Sequence, residues 1–329
     1  MFGTGLAFLG GCVRQVRHLA FGPQKPALDA ERARHRAAAE AHQGLAEVAY
    51  FTLDLVGLLH ANVHAVNHAE RAGEPRELAA AWGSAAIAAG VGGLHPLARR
   101  WSRQSLEAAE QSGHLPTVAY TNLLAAVYTN SVGDWERAAE QNARATSLFI
   151  RLGDRFRTAT SLCGEAFNRL ARGARDEATE FVVQARRATP EEGGLQPMVW
   201  CAATDILLGM DDGRACDAET TELTWLLTLN PHHAERIMAL GVLSAANARA
   251  GRLSEGVAQA KEMLALARQS PPSNWFQMWA LRLGTETLVA GAKAGVQPWS
   301  DVRSARRVMW VFSRMIPSAK PTYLALAKR

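Results

Sequence analysis

The chain has 329 residues, of which 48% are hydrophobic and 20% charged, a composition ordinary for a soluble protein with ample apolar material to bury. Its net charge of +5 is concentrated at the ends: residues 1–40 carry six Lys or Arg against three acids, residues 293–329 carry eight against one, and the middle holds 22 basic against 27 acidic residues. An acidic middle repels a long polyanion and no nucleic-acid motif accompanies the basic ends, so nucleic acid is not an expected partner and the tail arginines Arg303, Arg306, Arg307 and Arg314 read as a solvated helix face.

Residues 1–30 read as a leading helix and a linker. Met1–Val13 is apolar and Gly-rich, and Leu9-Gly10-Gly11-Cys12 is similar to the box before a lipidated cysteine. A signal peptide carries its basic residues ahead of the apolar run, whereas Arg14 and Arg17 follow it here, and the run is too short to span a bilayer. A cytoplasmic chain without stable membrane insertion is therefore expected. Phe21–Ala27, with Pro23 and Pro26, is the linker.

Residues 31–317 divide into about seven helix hairpins. The first runs from Glu31 to Gly73 with its turn at Leu53-Asp54-Leu55, and the next three end at Gly113, Gly153 and Gly193. A fifth runs to Asn230-Pro231 and a sixth to Pro271-Pro272. The seventh comprises Trp275–Ala292 and Trp299–Ile316, joined through Gly295 and Pro298. Residues 318–329 leave a partial terminal helix. Either Tyr323–Ala327 folds back as a cap, or an apolar edge stays open and invites self-association.

The spacing of glycines carries this division. Gly93, Gly133, Gly173 and Gly213 are 40 residues apart, Gly251 follows 38 later, and Gly73, Gly113, Gly153 and Gly193 interleave halfway between. Such breakers suit left-handed helix ends, which cost a residue with a Cβ more. Five residues after the first series come Ala98, Ala138, Ala178, Ala218 and Gly256, so one crowded place per unit is expected to hold a small residue. Between breakers the periodicity is helical, as in Ala138, Asn142, Ala145, Leu148, Phe149 and Leu152, and no period-two alternation suggests a strand. The expected fold is all-α: an α-solenoid of antiparallel hairpins, about 40 residues per repeat.

Leu45-Ala46, then Gly133-Asp134-Trp135 with Ala138 and Ala145, and most fully Gly173, Ala178, Ala185 and Pro190, resemble the tetratricopeptide (TPR) repeat, although the unit exceeds its usual ~34 residues. More narrowly, Ala65–Gly73, Gly93–Arg100 and Ser270-Pro271-Pro272 resemble the C-terminal array of large bacterial signalling proteins in which a nucleotide cyclase or Ser/Thr kinase domain precedes an ATPase module and the repeats. That resemblance covers nearly the whole chain. It implies a right-handed superhelix, a concave groove built from the first helix of each pair, and a role in bacterial signal transduction. It also implies that Phe2, Leu6 and Leu9 belong to the helix joining an ATPase module to the first repeat.

Catalytic signatures are missing from the sequence. There is no Gly-Lys pair and hence no phosphate loop, Gly3-Thr4-Gly5 lacks a preceding strand, and neither HExxH nor GxSxG occurs. No enzyme activity and no cofactor are expected. Cys12, Cys163, Cys201 and Cys216 have neither C-x-x-C nor zinc-finger spacing and read as small buried residues of a reducing compartment. His60, His64 and His68 are the one arrangement able to carry chemistry, because a spacing of four places neighbouring imidazoles on one helix face. All three cannot readily share one ion: eight residues climb ~12 Å and rotate by ~80°. No further ligand of suitable spacing completes the set, so packed or exposed histidines are expected instead of a metal site.

Six of nine tryptophans follow residue 199, and inter-helix packing is the expected role of Trp200, Trp225, Trp275, Trp279, Trp299 and Trp310. The resemblance places groove-lining residues at Tyr120, Leu123, Val127, Asn130, Thr160, Phe167, Leu170, Trp200 and Leu207, with Cys163 and Ala203 among them. A set this apolar implies either an array that closes on itself or a site for a hydrophobic helix or peptide. The expected function is a non-catalytic interaction scaffold holding a protein or peptide partner, the alternative being a small-molecule sensor controlling an output domain.

Overall fold

A computed structural model describes residues 2–22, 26–52, 54–270, 272 and 274–327, leaving aside the side chains of residues 2–8, 19, 51, 52 and 55. Leu53, Pro23, Pro271, Lys328 and Arg329, and the side chains of Phe2, Leu6 and Leu55, on which parts of the sequence reading fall, lie outside those described. Among the described residues there are sixteen α-helices, one 3-10 turn and no strand. The all-α expectation holds.

The chain forms two compact units, Met1–Tyr128 and Thr129–Arg329. The first contains α1 (Phe2–Phe21), α2 (Asp29–Thr52), α3 (Leu55–Ala72), α4 (Pro75–Val91), α5 (His95–Ser112) and most of α6 (Leu115–Val132). The pairs α2/α3 and α4/α5 pack side by side, and α1 lies on α3. The second contains α7 (Trp135–Leu152), α8 (Arg155–Ala171), α9 (Arg175–Ala188), α10 (Leu195–Asp211), α11 (Asp217–Thr228) and α12 (His233–Arg249). It continues through α13 (Leu253–Gln269), α14 (Gln277–Lys293) and α15 (Trp299–Met315) to α16 (Lys320–Ala327). Here α8/α9, α10/α11 and α12/α13 pair, while α8, α10, α12 and α14 stack on one another in that order.

The glycines end the helices for the expected reason. Gly73, Gly93, Gly113, Gly133, Gly153, Gly173, Gly193, Gly213 and Gly251 all have φ between 60° and 84°, the left-handed region in which a Cβ is costly. Asn230, at the breaker before Pro231, is left-handed as well, at φ 54°. Two helix starts are capped by aspartates: Asp54 Oδ1 accepts from the Gly57 amide at 2.8 Å and Asp154 Oδ1 from the Arg157 amide at 2.9 Å, whereas Asp134 at the start of α7 makes no such bond.

The crowded small-residue place exists, with one correction. Ala98, Ala138 and Ala178 are fully buried, and a Cβ on Gly256 would sit 2.4 Å from the Ser244 carbonyl oxygen. Ala218, however, is exposed. The loop after Gly213 is longer than its counterparts, so α11 starts at Asp217 and its fourth residue, the position that Ala98, Ala138 and Ala178 occupy in their helices, is the buried Thr220. Counting from the glycine misplaces the residue; counting from the helix start finds it.

α12 runs through the middle of the second unit, and every residue from Ile237 to Asn247 is buried. Its run Ile-Met-Ala-Leu-Gly-Val-Leu-Ser-Ala-Ala is apolar all round, as a helix with neighbours on every side must be. Near the end of the described chain, α16 packs on α14 and α15 with Leu326 buried, and Ser318 lies against Gly133. Residues 323–327 thus pack on the preceding two helices through Leu326, while Leu324 stays 48% exposed.

Candidate functional site

The helix-face residues named from the sequence fall in both units, and the first unit also holds a histidine cluster.

On α6, Tyr120, Leu123 and Val127 are half-buried and share one stripe at i, i+3 and i+7. In the second unit the expected residues are largely covered. Phe167 is fully buried, Asn130, Thr160, Cys163, Ala203 and Leu207 are buried, and only Leu170 and Trp200 stay half-exposed. The cover is the chain itself. The connection from α13 into α14 lays Trp275, Phe276 and Trp279 across α8 and α10. Phe276 stacks on Phe167 at 5.3 Å between ring centres, and Trp279 stacks on Phe167 at 5.6 Å. Trp200 meets Phe276 at 4.7 Å, and Trp275 reaches Trp135 of α7 at 5.6 Å. The reading of Phe167 as a presented anchor is therefore corrected: it is buried under a later segment of the same unit, because exposing so many large apolar side chains would forfeit their burial energy.

Asn130 has an internal role, accepting a hydrogen bond from Asn168 Nδ2 at 2.8 Å. Cys163 and Cys201 face each other with sulfurs 3.6 Å apart as free thiols, and that contact, with burial adding to it, raises the Cys163 pKa. Three of the expected packing tryptophans are not packed: Trp225, Trp299 and Trp310 are 52%, 45% and 43% exposed, with Arg314 lying over the Trp310 ring at 4.7 Å. Arg303, Arg307 and Arg314 are exposed, as a solvated face requires.

The histidine cluster is larger than the sequence suggested. α2 and α3 run antiparallel, so His42 and His35 of α2 face the row His60, His64 and His68 on α3. His42 stacks on His64 at 5.1 Å and on His68 at 5.6 Å between ring centres, while His60 and His64 are 4.5 Å apart. One ring nitrogen from each of His42, His64 and His68 lies within 4.8 Å of the other two. The outer pair of α3 does diverge, as helix geometry requires, but a neighbouring helix supplies the missing partner. His35 and His68 share a hydrogen bond between their Nδ1 atoms at 2.9 Å. Buried His42 Nδ1 and His64 Nε2 have no hydrogen-bond partner.

Burial lowers the pKa of His35, His42 and His64, and that of His68 to about 4, with neighbouring imidazoles and Arg14 adding to the effect on His64 and His68. The rings are consequently neutral near pH 7, the form that offers a lone pair to a metal ion. Beside them, α1 packs tightly: a Cβ on Gly11 would meet Val63 at 2.8 Å. Buried Gln15 and His18 of α1 bond Asn67 and Glu70 of α3.

No protein-family model matches the chain, and no curated protein matches it by sequence.

Proposed function

We propose that the chain is a non-catalytic, cytoplasmic interaction module of a bacterial signalling system, built as a TPR-like solenoid with a right-handed superhelix and repeats of about 40 residues. Support for the repeat length comes from contacts between successive units. Asn130 with Asn168, Cys163 with Cys201, Gln196 with Glu235 and Arg249 with Met210 are all joined at sequence separations of 38 or 39. The signalling role rests on the sequence resemblance. The non-catalytic reading rests on the missing phosphate loop, nucleophile elbow and metalloprotease signatures. No helix among the described residues is long and apolar enough to cross a membrane.

The observation that carries the binding role is the half-buried stripe Tyr120, Leu123 and Val127, which offers an aromatic and two aliphatic side chains at the spacing that suits an amphipathic helix or extended peptide. Self-association is a second route, and the outer face of α1 supports it: Leu9, Val13 and Val16 are 60%, 69% and 65% exposed on one side of the helix.

The test is affinity capture from the native source with wild-type protein beside Leu123→Glu, a variant at a half-exposed site chosen because Phe167→Ala would empty the core. Loss of a recovered protein from the Leu123→Glu sample is expected. Identical recovery would defeat the groove assignment, and a light-scattering mass equal to one chain at all concentrations would defeat self-association through α1.

A further inference from the structure

We propose that His42, His64 and His68 bind a divalent transition-metal ion of the zinc class, held between α2 and α3 with one coordination position open to an exogenous ligand. Three features of the first unit carry this. The donor set is right: imidazole nitrogens suit zinc, copper and nickel, whereas magnesium and calcium demand oxygen. The placement is close: ligand atoms within 4.8 Å of one another need small side-chain rotations to reach the ~3.3 Å separation that ~2.0 Å bonds impose in tetrahedral geometry. Finally, His42 Nδ1 and His64 Nε2 are buried without a partner, a cost that coordination would remove. Mere stacking of neutral rings would leave those nitrogens unsatisfied.

The surroundings fit a metal centre with a second layer of support. A metal-bound imidazole usually passes its other N–H to an acceptor, which fixes the tautomer and the ring plane. His68 has such a partner in His35, joined Nδ1 to Nδ1 at 2.9 Å, which leaves its Nε2 for the ion. His35 is then a positioning residue. His35 and His68 also line a pocket with Arg14 of α1, Arg34 and Glu31 of α2, and Arg71 of α3. Arg71 is 3.5 Å from Glu31. Three arginines oppose a bare dication, so the ligand completing the coordination is an anion: hydroxide, or a carboxylate or phosphate drawn from solution. Three histidines with an open fourth position is also the arrangement in which zinc lowers the pKa of bound water.

The experiment uses the full chain, freed of metal with EDTA and dialysed into phosphate-free buffer, and the probes are zinc and cobalt(II) ions alone. Calorimetric titration should show one zinc per chain, with an increase in Tm that EDTA reverses. Cobalt(II) should develop the visible absorption of a tetrahedral site. His64→Ala and His42→Gln should each weaken binding at least 100-fold with helical circular dichroism unchanged, while His114→Ala, outside the cluster, should bind as wild type. His35→Ala should weaken binding ~10- to 100-fold without changing stoichiometry, and His35→Gln should restore part of the loss. A wild-type chain that takes up no stoichiometric zinc and gives no tetrahedral cobalt spectrum would overturn the proposal, even if the variants fail to fold. So would His64→Ala or His42→Gln variants that bind as tightly as wild type.

Discussion

His68 and Glu165 show how burial writes opposite pH dependences into one chain. His68 is held at a pKa of about 4 by desolvation, with His35, His42, His64 and Arg14 adding to it, so between that value and the ordinary histidine range the unfolded chain binds the extra proton and the folded chain does not. Stability of the first unit is therefore expected to fall as pH drops from about 6.5 towards 4, and a His68→Gln variant should flatten that acid limb in thermal melts. Glu165, buried on α8, is pushed up to about 7 by desolvation, which outweighs Arg169 lying 3.6 Å away. Here the folded state binds the extra proton, so its contribution is present at low pH and lost as pH rises towards 7. Glu165→Gln should raise Tm at pH 8, by about 1–2 kcal/mol of stability, and do little at pH 5. The α3 histidines could be read from their spacing of four. His42 could not, because it stands on another helix and only the antiparallel pairing of α2 with α3 brings it across.

At the scale of elements, glycine does two different jobs, and substitution separates them. Gly153 ends α7 at φ 70° with open space where a Cβ would go, so Gly153→Ala costs backbone strain alone, ~1 kcal/mol. Gly241 lies inside α12, where a Cβ would stand 2.5 Å from the Ala280 carbonyl oxygen of α14. Gly241→Ala must push two packed helices apart and should cost ~2–3 kcal/mol, measurable as a lower denaturation midpoint at unchanged m-value. The turn glycines were legible because their spacing is periodic and their conformational demand local. Gly241 was not, since a close helix crossing leaves no period in the sequence. Ala218 shows the same limit: a longer loop shifts the register, and the buried place passes to Thr220. Apolar runs identified which residues seek burial, but which of them would be covered by Trp275 and Phe276 depends on a contact across more than 100 residues.

At the scale of the whole molecule, the second unit departs from the nearest-neighbour logic of a simple repeat array, in which each hairpin touches only the next. The rings of Phe167 and Phe276 join distant parts of the chain, and a double-mutant cycle with both changed to alanine should give a coupling of ~0.5–1.5 kcal/mol. Additive effects of the two single changes would mean that the stacking contributes nothing of its own. The fold class was readable because helix periodicity and breakers recur many times. The covering of Phe167 and Trp200 by a later segment is not legible in the sequence, since an apolar face says that it will be covered and not by what.

The packing of Ser318 on Gly133 has a consequence for how the protein is made. A nascent chain emerges from the ribosome in order, at ~5–20 residues per second. The 185 residues from Gly133 to Ser318 therefore take roughly 10–40 seconds, and the 109 from Phe167 to Phe276 roughly 5–20 seconds, during which Phe167 lacks that cover. During that interval the growing polypeptide displays an aromatic surface that the finished second unit conceals.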